Sequence, residues 1–376
     1  MTLSQVAGTT EVKPFRIEIA QSELDDLRAR LDRVRWPDEL PGVGWSYGVP
    51  VGYLKELVEY WRHGYDWRVH ERRLNSFPQF TTQIDGQNVH FLHVRSAKPG
   101  ALPLIITHGW PGSVVEFDKV IEPLSQEFHL VVPSLPGFGF SGPTTETGWN
   151  VERVARAWAE LMRRLGYDRY GAQGGDWGSA VALEVGRIDP EHVVGVHVNL
   201  LQTLPSGDPG ELDELTDDET DRLGDLKRYD DELSGYQKVQ ATRPQTLAFG
   251  LHDSPVGQLA WIVDPFRLWT DSANVPEDSV DRDQLLTNVM VYWLTGTAAS
   301  AARLYREAGA WTRRQPARVP VGVAVFAREI FRPIRGLAEK THNITHWSEF
   351  DHGGHFAAME VPGELADDVR SFFSSI

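Results

Sequence analysis

The chain has 376 residues, 41% of them hydrophobic and 24% charged, the balance of a soluble globular protein able to bury a large core. A formal net charge of -16 argues against a nucleic-acid or anionic-membrane partner, and the lack of cysteine excludes disulfides, thiolate nucleophiles and Cys-ligated metals. With no basic-then-apolar leader and no run of about 18 apolar residues, a cytoplasmic protein without a membrane anchor is expected.

In chain order, residues 15–67 read as helical and rich in aromatics. Leu24, Leu27 and Leu31 follow Ser22 at helical spacing, with Glu23, Asp25 and Asp26 in the first turn, which predicts a capped amphipathic helix. A Pro- and Gly-rich piece, 36–50, interrupts the pattern before a second helix predicted over 53–63. The segment is too polar and broken to fold alone, so 1–75 is expected to be an extension wrapped over something larger. Strands are predicted over 77–84 and 88–94, joined by Asp85-Gly86, a dipeptide suited to a two-residue hairpin. An apolar strand over 103–107 then runs into H-G-W-P-G-S. A helix is expected at 114–124, a buried strand at 129–133 and an amphipathic helix at 151–165. The run A-Q-G-G-D-W-G-S-A, 172–180, precedes a helix at 180–188 and a strand at 193–199.

Strands that alternate with helices predict the α/β class, with a mostly parallel central sheet covered on both faces. The core would fall in two parts, 76–204 and 315–376. Between them, over 205–314, strand signals vanish, and the position of this helical insertion suits a lid. It opens with an acidic stretch expected to be a solvated helix face or loop, and continues through helical segments to 292–307. Strands at 319–326 and 344–350 and a helix at 364–373 complete the sheet.

Three strand-to-helix junctions carry polar residues at the end where an open α/β sheet places its site. Asp176 stands among Gly174, Gly175, Trp177, Gly178 and Ser179, the shape of a nucleophile elbow, though the fragment alone also suits an ordinary Gly-rich turn. Glu329 follows the strand V-P-V-G-V-A-V-F, and His355 lies in D-H-G-G-H-F-A-A-M-E. The order nucleophile, acid, histidine is that of an α/β-hydrolase triad. Asp351 and His352 are nearby alternatives for acid and base; the paired glycines before His355 favour it, because they let the loop bend over the elbow. The H-G-W-P-G-S loop is placed to supply one oxyanion-hole donor, the Trp110 N–H, and Trp177 the other. Pro111 is a candidate for a cis bond that would turn the chain and aim the Trp110 N–H.

Together these residues resemble the epoxide hydrolases of the α/β-hydrolase superfamily, in the microsomal-type branch, over nearly the whole chain. The likeness covers the N-terminal extension, H-G-W-P-G-S, S-L-P-G-F-G-F-S-G, G-G-D-W-G-S, the lid pieces A-T-R-P-Q-T-L and D-S-P-V-G, R-L-Y-R-E and G-G-H-F-A-A-M-E. It implies an α/β-hydrolase fold with a helical lid and a wrapping extension. It also implies that Asp176 is the nucleophile, Glu329 the charge-relay acid and His355 the base, with two lid phenols at Tyr236 and Tyr305. Two departures stand out: Ala327 occupies the place of the family's usual proline before the acid, and the membrane anchor of some vertebrate relatives is missing. The preference for Arg over Lys and the abundance of Ala and Gly look actinobacterial. Relatives there include hydrolases that serve secondary metabolism, such as enediyne antibiotic pathways, and such a role is an expectation of the resemblance.

The implied reaction converts an epoxide and water to a vicinal diol with no metal or organic cofactor. Asp176 would form an alkyl-enzyme ester, the phenols would protonate the opened oxygen, and a water activated by His355 and Glu329 would hydrolyse the ester. The expected substrate is a small apolar or aromatic epoxide, and relatives of this kind are often homodimers. Trp110, Trp177, Trp261, Trp269 and Trp293 are candidates to line an apolar tunnel. Spacing along a strand does not suit His342 and His346 to a metal pair, so no metal site is expected. A haloalkane dehalogenase shares an Asp-Trp elbow, but halide calls for N–H donors where an alkoxide needs acids. A catalytically silent small-molecule receptor on the same fold would have lost a triad member, and none is lost.

Overall fold

The computed structural model describes residues 10–208, 210–213, 215–309 and 318–376. Nine strands form one sheet: β1 (Lys13–Phe15), β2 (Gln79–Ile84), β3 (Gln87–Val94), β4 (Leu102–Thr107), β5 (Phe128–Pro133), β6 (Tyr170–Gly174), β7 (Val193–Val198), β8 (Val321–Val325) and β9 (Ile344–Glu349). Their order across the sheet is β1-β2-β3-β5-β4-β6-β7-β8-β9. Pairing is antiparallel from β1 to β5 through β2 and β3, and parallel from there to β9. Asp85 and Gly86 turn the β2–β3 hairpin with φ of 50° and 76°, the left-handed geometry that matches the twist of paired strands.

The parallel strands β6 and β8 are buried along their whole length, which is why they read as unbroken apolar or small-residue runs. Helix Val151–Arg164 buries Val151, Val154, Ala155, Trp158, Leu161 and Met162 on one face, and the Asn150 side chain accepts the Arg153 N–H to cap it. The elbow helix starts at Trp177, three residues before its expected start, and runs to Ile188. Its first turn is pressed against β4. A Cβ on Gly178 would lie 1.9 Å from the Thr107 carbonyl oxygen, so only glycine lets the two backbones meet.

Three features depart from the sequence reading. The extension contributes a strand, β1, at the sheet edge, hidden in the sequence by Pro14, which an edge strand tolerates. A third helix, Trp67–Leu74, is capped by the Asp66 side chain. The region expected as one helical piece over 292–307 breaks at Gly296, φ 63°, into Arg282–Thr295, Ala298–Ala301 and Arg303–Ala308. The acidic stretch runs, as expected, into a largely solvated helix face. Thr216 and Glu219 box the start of helix Asp217–Arg228, and Asp218 and Asp225 bind Arg332 at 3.2 and 3.0 Å.

The extension is tied to helix Arg282–Thr295. Tyr60 donates to Asp283 at 2.7 Å, the Trp61 indole to the Met290 sulfur at 3.2 Å, and Tyr65 meets Thr287 at 3.0 Å. Leu54, Leu57 and Val58 bury themselves in the same core as the parallel strands. Among the described residues no helix is long and apolar enough to cross a membrane. The opening nine residues and the boundary read at 314–315 lie outside the described residues.

Gly178→Ala should lower stability by about 3 kcal/mol or prevent folding, because the rigid backbone of Thr107 and His108 leaves no room for the methyl group. Gly224→Ala, in the middle of an exposed helix with open space at its Cβ, should raise stability by about 0.5–1 kcal/mol. Guanidinium unfolding midpoints of the two variants give the comparison.

Candidate active site

The turn between β6 and its helix forces Asp176 to φ 51° and ψ -128°, a region that a residue with a Cβ enters only under constraint. Its side chain is buried and split between two surroundings. Oδ1 accepts the Trp110 N–H at 2.8 Å. Oδ2 faces His355 Nε2 at 3.5 Å. Gly109 permits this fit, since a Cβ there would lie 2.1 Å from Asp176 Oδ1. The loop that delivers the Trp110 N–H carries a cis bond between Trp110 and Pro111. Helix Arg282–Thr295 holds that loop from above, with Asn288 donating to the Pro111 carbonyl at 2.7 Å and Tyr292 to the Gly112 carbonyl at 2.6 Å. Trp177 follows Asp176 directly as the first residue of the elbow helix, so its N–H belongs to the positive end of that helix.

His355 and Glu329 arrive on loops after β9 and β8. The two loops are stitched together by a bridge between Arg328 and Gly354, and the His355 N–H donates to the Trp269 carbonyl at 2.8 Å. His355 Nδ1 lies 2.5 Å from Glu329 Oε1, which also accepts the Ile330 N–H at 2.8 Å. A carboxylate at Nδ1 fixes that nitrogen as the N–H and turns Nε2 toward Asp176. Burial opposes a charged imidazole, but the Glu329 and Asp176 carboxylates outweigh it and hold the His355 pKa well above its usual value. Asp351 and His352, the alternatives, pair with each other on the surface.

Tyr236, on helix Gly235–Thr242, and Tyr305, on Arg303–Ala308, close over these residues. The Tyr236 ring stacks on Trp110 with centroids 5.0 Å apart. Tyr305 meets the edges of Trp110 and Trp177 at 5.9 and 4.9 Å, and Trp269 packs against Tyr236 at 5.1 Å. Burial, followed by neighbouring phenols and Asp176, pushes the Tyr236 pKa far up. Burial and Asp176 do the same to Tyr305, so both stay protonated at neutral pH. Below them a cavity of about 290 Å³ reaches Asp176 and is walled by Leu200, Leu226, Ile330 and Phe331. Of the five tryptophans read as tunnel residues, Trp110, Trp177 and Trp269 stand at the phenols. Trp261 instead donates to Gln240 at 3.3 Å, and Trp293 packs under Arg30 at 5.8 Å, so these two belong to packing elsewhere.

Three residues at this site were not singled out from the sequence. Tyr229 lines the cavity and touches Tyr236. Glu116, four residues past Gly112, is a buried carboxyl whose pKa rises to about 8, chiefly through burial and then through the negative charge of Asp176, Glu329 and Glu360, with His355 opposing. Glu360 is raised to about 7 by burial, although it accepts the Asp271 and Phe356 N–H groups. Both glutamates sit inside the H-G-W-P-G-S-V-V-E and G-G-H-F-A-A-M-E stretches, where their placement could have been suspected. No cluster of three His, Cys, Asp or Glu side chains placed to hold a metal occurs among the described residues, and His346 binds Asp368 at 2.8 Å instead.

Comparison with known proteins agrees across the chain. The family description "Epoxide hydrolase N terminus" matches residues 12–117, and "alpha/beta hydrolase fold" matches 103–218. A Stigmatella aurantiaca protein provisionally named an epoxide hydrolase is 46% identical, over 97% of this chain and 85% of that one. "Epoxide hydrolase 1" of Oryctolagus cuniculus is 36% identical, over 96% of this chain and 88% of its own. The solved structure of an Aspergillus niger epoxide hydrolase superposes with a TM-score of 0.89 at 32% identity, covering 98% of both chains.

The raised pKa of Glu116 predicts a pH-dependent stability. In the unfolded chain this carboxyl ionises near 4.5, whereas the fold holds its proton to about 8. Between those values the folded chain binds more protons, so the contribution is complete below about 4.5 and is lost as pH rises toward 8. Glu116→Gln removes that loss. Its melting temperature should fall less than the parent's between pH 5 and pH 8, and should exceed it at pH 8.

Proposed function

The chain belongs to the epoxide hydrolases of the α/β-hydrolase fold, and on that premise we propose that it opens its substrate through a covalent ester on Asp176. The observation that carries this reading is the division of the Asp176 carboxylate. One oxygen is held by the Trp110 N–H, the other faces His355 Nε2 at 3.5 Å, and the residue lines the cavity.

In the first step Oδ2 attacks a ring carbon and the C–O bond opens. The electron pair goes to the epoxide oxygen, which takes a proton from Tyr236 or Tyr305. These phenols suit the task because burial keeps them protonated, and because a ring-opened alkoxide is too basic to leave unaided. Ester formation also removes the negative charge of Asp176. One of the two carboxylates that hold the His355 proton is then gone, so the imidazole can return its proton to the phenolate and become a neutral base. His355, oriented by Glu329, next takes a proton from water while the oxygen attacks the Asp176 carbonyl carbon. Oδ1 becomes the oxyanion, beside the Trp110 N–H and the start of the elbow helix. Collapse releases the vicinal diol and restores the carboxylate and the imidazolium.

The apolar walls and the small volume of the cavity favour a compact apolar or aromatic epoxide. Membership of the epoxide hydrolases separates the chain from dehalogenases that share an Asp-Trp elbow, and two protonated phenols over the nucleophile serve an alkoxide rather than a halide.

Asp176→Ala should lower turnover of a styrene-oxide-type probe by about 10⁴-fold or more. His355→Gln should still form the ester but hydrolyse it about 10²–10⁴-fold more slowly, leaving a mass increment on the peptide that carries Asp176. A single turnover in heavy-oxygen water should place the label in the protein before it reaches the diol. A labelled first diol with unlabelled protein would mean direct attack of water on the epoxide.

A further inference from the structure

A third phenol stands beside the two over the nucleophile. Tyr229 opens a single π-turn, Tyr229–Leu233, between helices Asp217–Arg228 and Gly235–Thr242. Such turns interrupt the regular hydrogen-bond ladder and commonly serve to re-aim a side chain at a functional site. Here the Tyr229 hydroxyl lies 2.8 Å from that of Tyr236 and donates to the Gln237 amide oxygen at 2.5 Å. A phenol has one proton, and that of Tyr229 is engaged by Gln237, so Tyr236 is the donor between the two hydroxyls. All three side chains line the cavity that reaches Asp176, and Phe331 braces the Tyr229 ring edge-on at 5.7 Å. The Tyr305 hydroxyl is buried against the Trp177 and Tyr236 side chains.

We infer that Tyr229 is a positioning residue for Tyr236, holding its hydroxyl at rest and then stabilising the phenolate that remains after proton transfer. The inference rests on the reading of Tyr236 as a proton donor. When the epoxide C–O bond breaks, the Tyr236 O–H bond breaks with it. The proton forms a new O–H bond on the opened oxygen, and the electron pair stays on the Tyr236 oxygen. Rotation of the Tyr229 O–H from Gln237 to that oxygen exchanges a neutral hydrogen bond for a charge-assisted one, roughly twice as strong. Tyr229 keeps its own proton throughout. In so apolar a place a phenolate without this partner would be costly. Tyr236 is thus the donor that Tyr229 supports.

Stopped-flow single turnovers with styrene oxide separate ester formation from ester hydrolysis. Tyr229→Phe is compared in the parent, in Tyr305→Phe and in Tyr236→Phe, with melting temperatures to verify folding. Ester formation should slow about tenfold in the parent and at least as much in Tyr305→Phe, where Tyr236 is the sole acid, but less than about twofold further in Tyr236→Phe. An equal loss in all three backgrounds, or no loss in the first two, overturns the inference while leaving Tyr236 as an acid. Full-rate ester formation in Tyr236→Phe alone overturns the reading of Tyr236, and the role of Tyr229 falls with it.

Discussion

The strained backbone at Asp176 is the constraint on which the rest of the site depends. A residue at φ 51° and ψ -128° costs on the order of 1–3 kcal/mol, and it persists only where its surroundings over-determine it. Here the surroundings are β6 on one side and a helix packed backbone-to-backbone against β4 on the other. The strain lifts the carboxylate clear of the sheet and sets it between a backbone N–H and an imidazole. Relaxing it would move every distance that makes the group chemically useful.

The loop that meets Asp176 from the neighbouring strand is held from outside the sheet. Asn288 and Tyr292 grip the carbonyls of Pro111 and Gly112, and the same helix receives Tyr60, Trp61 and Tyr65 from the first 75 residues. A continuous path of packed side chains and hydrogen bonds therefore runs from the N-terminal segment to the Trp110 N–H. On the opposite side, Trp269 and Asp271 anchor the His355 loop through the His355, Gly353 and Glu360 groups. Both partners of the Asp176 carboxylate are thus braced by the helical insertion as well as by the sheet.

Burial decides the electrostatics. Asp176, Glu329, Glu116 and Glu360 crowd around one imidazole, more negative charge than a buried site could hold if all were ionised. The fold resolves this by leaving Asp176 and Glu329 beside His355, while burial keeps the other two carboxyls protonated to higher pH. The phenols obey the same rule, since burial that would be wasteful for a surface tyrosine keeps each one a ready acid.

The sequence by itself determined the class of fold and the junctions that matter. Small residues around Asp176, an apolar strand running into H-G-W-P-G-S, and a histidine after paired glycines are local signals, because a tight turn restricts which residues can occupy it. Most helices and strands were legible for the same reason, through period and capping. The edge strand β1 was not, because a three-residue strand containing proline exists only by virtue of the neighbour it pairs with. Nor could local pattern reveal that Glu116 and Glu360 are buried deeply enough to hold their protons, that Trp261 and Trp293 point elsewhere, or that a π-turn brings Tyr229 to Tyr236. Those facts depend on contacts between segments distant in the chain and on the exact angle at which helices cross the sheet. Tertiary structure alone decides burial, and burial sets which acids keep their protons.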